Sequence, residues 1–544
     1  MRAVPGPITR AGSVTQSSND ANATRLSRGD EVFIGLIVFL GGMTSIGTEL
    51  SVSRLIAPFF GDSTFIWANV IGLTLTFLAI GYWIGGRLAD RYPRPWVLYS
   101  ITALAAVWCA LLPYLARPIL QASLDAFDDV AVGAFYGSLL GVLLILSVPI
   151  TLLGFVSPYA IRLRVPDVTH AGNTSGNIYA LGTVGSIAGS FLPVLVLIPW
   201  VGTRRTFLIL GALLFIPSVI GLLRVRATPQ AALATVLAIA VAVATLVSAG
   251  GAIRPAQGGT LVYETESSDN YIQVVQDGTA FELSLNEGHA THSIYDPTDP
   301  LTRGPWDYFM VAPLFYPQTG PAAIDNALLI GLAGGTVAKQ LTAAYGPIPI
   351  DGVEIDPAIA DVGREWFDMT EPNLNVIVND GRYVLRTSDD QFNLIGVDAY
   401  KQPYIPFQLT TQEFFQEVYD HLAPEGVAVI NVGRTESDYR LVDVISSTMR
   451  SVFPNVYIID TERYENSIVI GTRSPTSIET FGQSLALQED GSLVQIVGAA
   501  SLASGNIREV TEVSEVFTDD HAPVERVVDQ IILDVARERT DDEP

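Results

Sequence analysis

Between residues 325 and 400 a polar or glycine-rich signal follows each of four apolar runs. Ala327-Leu328-Leu329-Ile330 leads to Gly331-Leu332-Ala333-Gly334-Gly335, and Ile350-Asp351-Gly352-Val353 leads to Glu354-Ile355-Asp356. Asn375-Val376-Ile377-Val378 leads to Asn379-Asp380-Gly381, and Asn393-Leu394-Ile395-Gly396-Val397 leads to Asp398. Glycine at 331, 334 and 335 lets a backbone approach a ligand. Glu354 follows that loop by about 20 residues, the spacing at which an acid can accept hydrogen bonds from both ribose hydroxyls. Asp380 can accept from an adenine amino group, and Asp398 faces the reacting centre. Four such signals at successive strand ends point to a nucleoside. An adenosyl group fits better than a dinucleotide, because Asp380-Gly381 and Asp398 carry the site onward across the sheet.

The elements that must position these residues are βα units. Short apolar runs alternate with helical stretches, and Val427-Ala428-Val429-Ile430 and Ser467-Ile468-Val469-Ile470 supply later strands. This pattern predicts a Rossmann-like, doubly wound parallel sheet over residues 325–544, with ligands beyond the carboxyl ends of its strands. Residues 259–285 alternate apolar and polar with breaks at Ser267–Asn270 and Asp277-Gly278, which predicts a small antiparallel β unit. A proline-bearing loop and a helix around Trp306–Leu314 complete a linker domain over residues 259–320.

The first half is of another kind. Mean hydropathy is +0.35, and nearly all long apolar runs lie in residues 32–251. A span needs about 20 apolar residues to cross roughly 30 Å of hydrocarbon. Seven runs qualify, near 33–59, 65–88, 96–116, 132–160, 176–200, 205–223 and 231–250. An α-helical membrane bundle is therefore expected behind a polar tail, residues 1–31, with no cleavable signal. Gly182, Gly185, Ser186, Gly189 and Ser190 recur at helical spacing and predict close helix packing. Arginine placement puts the N-terminus in the cytoplasm. Seven crossings would then carry the C-terminal domain outside, whereas adenosyl cosubstrates are made inside, so the side that holds this domain stays open. Gly85-Gly86-Arg87-Leu88-Ala89-Asp90-Arg91 resembles a cytoplasmic loop of major facilitator transporters, over that loop alone.

The formal charge is −25, and only Lys339 and Lys401 are lysines. An acidic surface of this kind suits high salt, and without a basic stripe nucleic acid is not expected as a partner. The single Cys109 and five scattered histidines predict no disulfide framework and no metal.

Residues 259–471 resemble spermidine synthase, and the whole chain resembles its membrane-fused relatives. Val353-Glu354-Ile355-Asp356-Pro357 matches the family's ribose-binding motif, which brings in Asp356, and Asn379-Asp380-Gly381-Arg382 matches its adenine-binding motif. Asn270 stands where the family has a ribose-binding Gln. Gly334 stands where it has an Asp for the donor's amine end, and Lys401 replaces the second acid of the catalytic stretch Asp398–Pro403. The resemblance implies aminopropyl transfer from decarboxylated S-adenosylmethionine to a small-molecule amine. Asp398 would serve as base, Tyr400 would position the amine, and Tyr308 and His292 would contact substrate. It also implies a lipid bilayer as partner and allows for a homodimer. Methyl transfer from intact S-adenosylmethionine, which Gly334 would favour, and a non-catalytic adenosyl-binding sensor or transporter remain open. Thr518–Glu525 also resembles the membrane-fused group, with no role beyond a turn before a helix.

Overall fold

The computed structural model describes residues 27–60, 64–125, 133–165, 171–248, 253–256, 258–267, 269–286, 290–317, 324–401, 403–503 and 505–541. Residues 1–26 of the tail, His289 and Gln402 lie outside them.

The first half is helical: α1 (Arg28–Phe60), α2 (Thr64–Arg91), α3 (Pro95–Asp125), α4 (Gly133–Gly154), α5 (Val156–Arg164), α6 (Ala171–Leu192), a π turn (Pro193–Leu197), α7 (Ile198–Arg224) and α8 (Thr228–Ser248). Among the described residues five helical runs are long and apolar enough to cross a membrane, not seven. The expected spans at 176–200 and 205–223 lie in one 54-residue run, Ala171–Arg224, and the last apolar helix, Thr228–Val243, is shorter. That 54-residue run is no single rod. Gly202 adopts φ +79°, a left-handed break that glycine tolerates. Before the break, Leu181 lies against Gly35 and Pro193 against Gly47, so α6 runs parallel to α1. Beyond it, Leu210 lies against Gly47 and Arg224 against Gly29, so α7 returns antiparallel.

The expected small-residue packing is present. A side chain at Gly185 would run into the Phe39 carbonyl, one at Gly189 into the Met43 carbonyl, and one at Gly42 into the Gly182 carbonyl. Such approaches let helix backbones pack closely.

The C-terminal half docks at the Gly202 break and beside α1. Thr203 N donates to Glu266 Oε2 at 3.1 Å. Arg254 Nη1 donates to the Pro58 carbonyl at 2.5 Å, and the Arg254 carbonyl accepts from Gln273 Nε2 at 2.9 Å. Glu266 and Gln273 belong to an antiparallel meander of β1 (Thr260–Glu266), β2 (Tyr271–Asp277), β3 (Ala280–Leu285) and β4 (Thr291–Tyr295). The last strand was not expected, since its alternation is short and follows a break in the pattern. The helix expected near residue 306 is a 3-10 helix, Pro305–Phe315, buried along its whole length.

The large sheet comprises β5 (Ala327–Ile330), β6 (Ile350–Glu354), β7 (Leu374–Val378), β8 (Phe392–Val397), β9 (Leu422–Gly433), β10 (Asn455–Asp460), β11 (Asn466–Thr472) and β12 (Ile507–Glu509). Helices α9 (Thr336–Tyr345), α10 (Pro357–Trp366), α11 (Gly381–Thr387), α12 (Gln412–His421), α13 (Arg440–Arg450), α14 (Ile478–Leu485), α15 (Leu493–Ala503) and α16 (Val524–Asp541) flank it. The order is β12-β10-β11-β9-β8-β5-β6-β7. β9 to β7 pair in parallel, whereas β11, β10 and β12 pair antiparallel. The sheet is therefore mixed rather than wholly parallel. The reason is local: the chain between Asp460 and Asn466 is too short for a crossover helix and makes a hairpin. Ile272, Val274, Leu283 and Leu285 of the meander pack on Ile359, Val362 and Phe367, which seats it over the sheet's rim.

Candidate active site

The glycine loop after β5 is shaped by its neighbours. Gly331 has φ +91°, and a side chain there would meet the Asp398 backbone. Gly334 N donates to Ser293 Oγ at 2.8 Å, and a Cβ at Gly334 would lie 2.9 Å from both the Phe367 ring and Ser293 Cβ. The site thus holds glycine where an Asp would need room. Gly335, at φ +86°, opens α9.

Glu354 closes β6 and is buried. Its Oε2 accepts from Ala333 N at 2.9 Å and its Oε1 from Asp356 N at 3.1 Å. Burial raises its carboxyl above the usual range, and those backbone donors oppose the rise. Asp356 caps α10 through Ala358 N at 3.0 Å, and its other oxygen accepts from Ser267 Oγ and from Asn270 Nδ2 at 2.9 Å. Asn270 also accepts from Asn286 Nδ2 at 3.0 Å. The Asn270–Asp356 pair is therefore an internal brace from the meander to α10, with its polar atoms already engaged. Asp380 caps α11 by accepting from Tyr383 N at 2.8 Å, and Gly381 packs on Ile330. Asn379 N donates to the Glu354 carbonyl at 3.1 Å, so these two acids stand at adjacent strand ends.

A cavity of about 310 Å³ opens at the ends of β8 and β9. Its wall includes Ala333 of the glycine loop with three of the expected site residues, Asp398, Tyr400 and His292, whereas Gly331, Gly334, Gly335, Glu354 and Asp380 do not line it. Asp398 Oδ1 accepts from Asn431 Nδ2 at 2.9 Å, and Asn431 Oδ1 accepts from Asn466 Nδ2 at 2.8 Å. Burial pushes the Asp398 carboxyl up to about 6, against the pull of hydrogen bonds from Asn431 and Trp306. The Tyr400 hydroxyl donates to the Asn431 carbonyl at 3.0 Å and accepts from Gly433 N at 2.8 Å. Its hydroxyl is therefore engaged on both sides by the backbone of β9. Neither nitrogen of His292 meets the geometry of a full hydrogen bond among the described residues, and burial lowers its imidazole to about 4 against the weak pull of the Ala290 backbone, so it is neutral near pH 7.

Tyr308 is buried in the 3-10 helix and does not line the cavity; Trp306 takes that place. Trp306, Asn431, Arg434, Tyr464 and Glu465 were not anticipated from the sequence. Asn431 ends a recognised strand, which was a usable signal. Tyr464 and Glu465 come from the β10–β11 hairpin and hold φ of 74° and 47°, and Ala333 holds 48°. Left-handed non-glycine residues are costly and cluster at ligand sites.

The Thr518–Glu525 turn has a physical role. Arg382 Nη1 and Nη2 donate to Asp519 at 2.8 and 2.9 Å, while Nε and Nη2 donate to Glu417 at 2.9 Å each. Asp519 also accepts from Thr411 Oγ1 at 2.6 Å. The turn locks the first helical turn after Asp380, and α16 then lays Val528, Ile531 and Ile532 along the cavity.

Residues 319–472 match the spermine/spermidine synthase domain. The polyamine aminopropyltransferase of Vibrio vulnificus is 32% identical over 208 residues, covering 36% of this chain and 67% of that protein. The chain belongs to the spermine/spermidine synthase family. By family it is a transferase. A probable polyamine aminopropyl transferase of Bifidobacterium longum is 33% identical over 308 residues, 51% of this chain, and the chain spans 65% of that relative's length. A bovine eEF1A lysine and N-terminal methyltransferase is 28% identical over 154 residues, 26% of this chain and 22% of that protein. The crystal structure of spermidine synthase from Thermotoga maritima aligns at TM-score 0.36 and 18% identity, over 44% of this chain and 84% of that one. Among the described residues no cluster of three or more metal-ligating side chains occurs.

Proposed function

We propose that this is a membrane-anchored aminopropyltransferase, moving an aminopropyl group from decarboxylated S-adenosylmethionine to an amine. The observation that carries the reading is Asp398 in the wall of a cavity that also contains the glycine-loop residue Ala333, with Asn431 holding its carboxylate. Both Glu354 oxygens already accept one backbone N–H, and a carboxylate's roughly four lone-pair sites leave about one more on each. The ribose hydroxyls would use these, and the Asp380 oxygen that does not cap α11 would meet the base. The acceptor amine loses a proton to Asp398 and attacks the carbon beside the sulfonium. An N–C bond forms, the C–S bond breaks, and its electron pair leaves on sulfur as a neutral thioether, 5′-methylthioadenosine. Tyr400 and Trp306 supply flat walls, and proximity supplies much of the rate.

Methyl transfer from intact S-adenosylmethionine is the second reading, favoured by the close seat of Gly334, by Lys401 in place of an acid and by the bovine methyltransferase relative. Isothermal titration with both cosubstrates separates the two. Tighter binding of the decarboxylated form and turnover slowed by orders of magnitude in Asp398→Asn are expected, whereas preference for the carboxylated form would sink aminopropyl transfer.

For the membrane half we propose seven crossings. The support is the reversal at Gly202, which makes two antiparallel helices of one long run, together with the apolar α8. Cysteine-accessibility labelling at loop positions on either side of each helix tests this count and finds the side that holds the cavity.

A further inference from the structure

Arg434 lines the same cavity as Asp398, and its side chain is 10% exposed. Its Nη1 donates to the Thr435 carbonyl at 2.9 Å, and its guanidinium lies 5.0 Å from the centre of the Tyr439 ring. Nε has no hydrogen-bond acceptor among the described residues, and the nearest carboxylate oxygen, Asp460 Oδ1, is 3.8 Å away. Asp460 is engaged elsewhere. It accepts from Arg508 at 2.6 and 3.0 Å, from Ser467 at 2.5 Å and from Tyr439 at 3.1 Å. One carboxylate therefore faces two guanidiniums, and Arg434 is left as surplus positive charge in a largely buried wall. The other acid of the wall, Glu465, is exposed. A guanidinium short of acceptors is unfavourable until a ligand supplies them, and a carboxylate matches its fork of donors.

We propose that the acceptor carries a carboxylate as well as an amine, the amine meeting Asp398 and the carboxylate meeting Arg434. This deepens the aminopropyl-transfer reading and rests on it. A zwitterion of this kind satisfies both charged walls, and its methylenes lie along Leu441, Val528 and Ile531. A simple diamine would set its second ammonium against a guanidinium, which like charges disfavour.

The test uses the full chain in a lipid nanodisc with decarboxylated S-adenosylmethionine. Acceptors are 1,4-diaminobutane and 2,5-diaminopentanoic acid, which differ by one carboxylate, and release of 5′-methylthioadenosine is followed. A charge-assisted hydrogen bond of the usual strength predicts kcat/KM about 10- to 100-fold higher for the amino acid. Arg434→Gln removes that preference and Arg434→Lys restores part of it. Preference for the diamine, or an equal loss for both acceptors in Arg434→Gln, would overturn the proposal while leaving aminopropyl transfer standing. Release with neither acceptor while the donor binds would overturn both. If Arg434→Gln instead weakens binding of intact S-adenosylmethionine alone, the carboxylate belongs to the donor and the proposal fails. Calorimetric titration of the wild type with the two acceptors decides the matter even if the variants do not fold.

Discussion

Replacing Asp398 by Asn should stabilise the protein while slowing its chemistry by orders of magnitude. Burial moves this carboxyl from 3.8 to about 6. At about 1.4 kcal/mol for each tenfold change in proton affinity, holding it ionised costs the fold roughly 3 kcal/mol. The sign follows from linkage: a raised folded-state value gives stability that is full below pH 3.8 and lost as pH rises through about 6. Asn keeps an oxygen for Asn431 Nδ2 and removes the ionisation, so the variant should match the wild type near pH 4. At pH 8 it should gain up to about 3 kcal/mol, at about 2–4 °C in Tm for each kcal/mol in a domain of this size. Turnover should fall by about 10²- to 10⁴-fold, the usual contribution of a positioned general base. The acid limb of the wild-type kcat/KM profile, falling as pH drops through about 6, should vanish with it. The assay is thermal unfolding of both proteins in the same lipid mimic from pH 4 to 8, beside the pH–rate profile. An Asn variant no more stable than the wild type at pH 8, together with an acid limb that survives, would refute both the burial argument and the assignment of the base.

Other expectations follow from single contacts. His292→Leu removes two buried nitrogens that lack a full hydrogen bond, so the ligand-free protein should melt higher, by about 1–3 kcal/mol, while calorimetry finds weaker acceptor binding. Gly334→Ala puts a methyl 2.9 Å from the Phe367 ring and Ser293 Cβ and should cost about 1–3 kcal/mol, with donor affinity reduced in the same titration. Arg382→Gln frees Asp519 and Glu417. A double-mutant cycle with Asp519→Asn should return a coupling of about 1–2 kcal/mol, modest because Asp519 is 46% exposed. Arg382 also holds the Asp519 carboxyl below its usual range, so this contribution is present above pH 4 and fades in more acid solution.

What the sequence disclosed depended on whether the signal was local. The strands ending at Ile330, Glu354, Val378 and Val397 were legible because each apolar run meets an acid or glycine within one or two residues. Asp398 and His292 do share a cavity. Asp356 and Asn270 read as ligand contacts, yet their atoms bond to one another across 86 residues, a pairing that no periodicity encodes. Trp306 and Tyr308 are two residues apart on a buried 3-10 helix, and helical or strand periods do not say which ring turns toward the site. Tyr464 reaches the cavity through the β10–β11 hairpin, whose pairing follows from a linker too short for a helix, and Arg434, just past β9, is tied to it through the Glu465 carbonyl. The turn at Thr518 had no visible purpose until its partner Arg382, 137 residues earlier, was in place. In the N-terminal half, hydropathy divided the runs 176–200 and 205–223 close to Gly202, where the 54-residue helical run doubles back.

The most direct test of the account is a structure of the full chain in a lipid mimic with decarboxylated S-adenosylmethionine bound. The ribose is expected on Glu354, the base beside Asp380, and the aminopropyl carbon in the cavity facing Asp398. A donor found elsewhere, or one whose sulfonium lies away from Asp398, would contradict it.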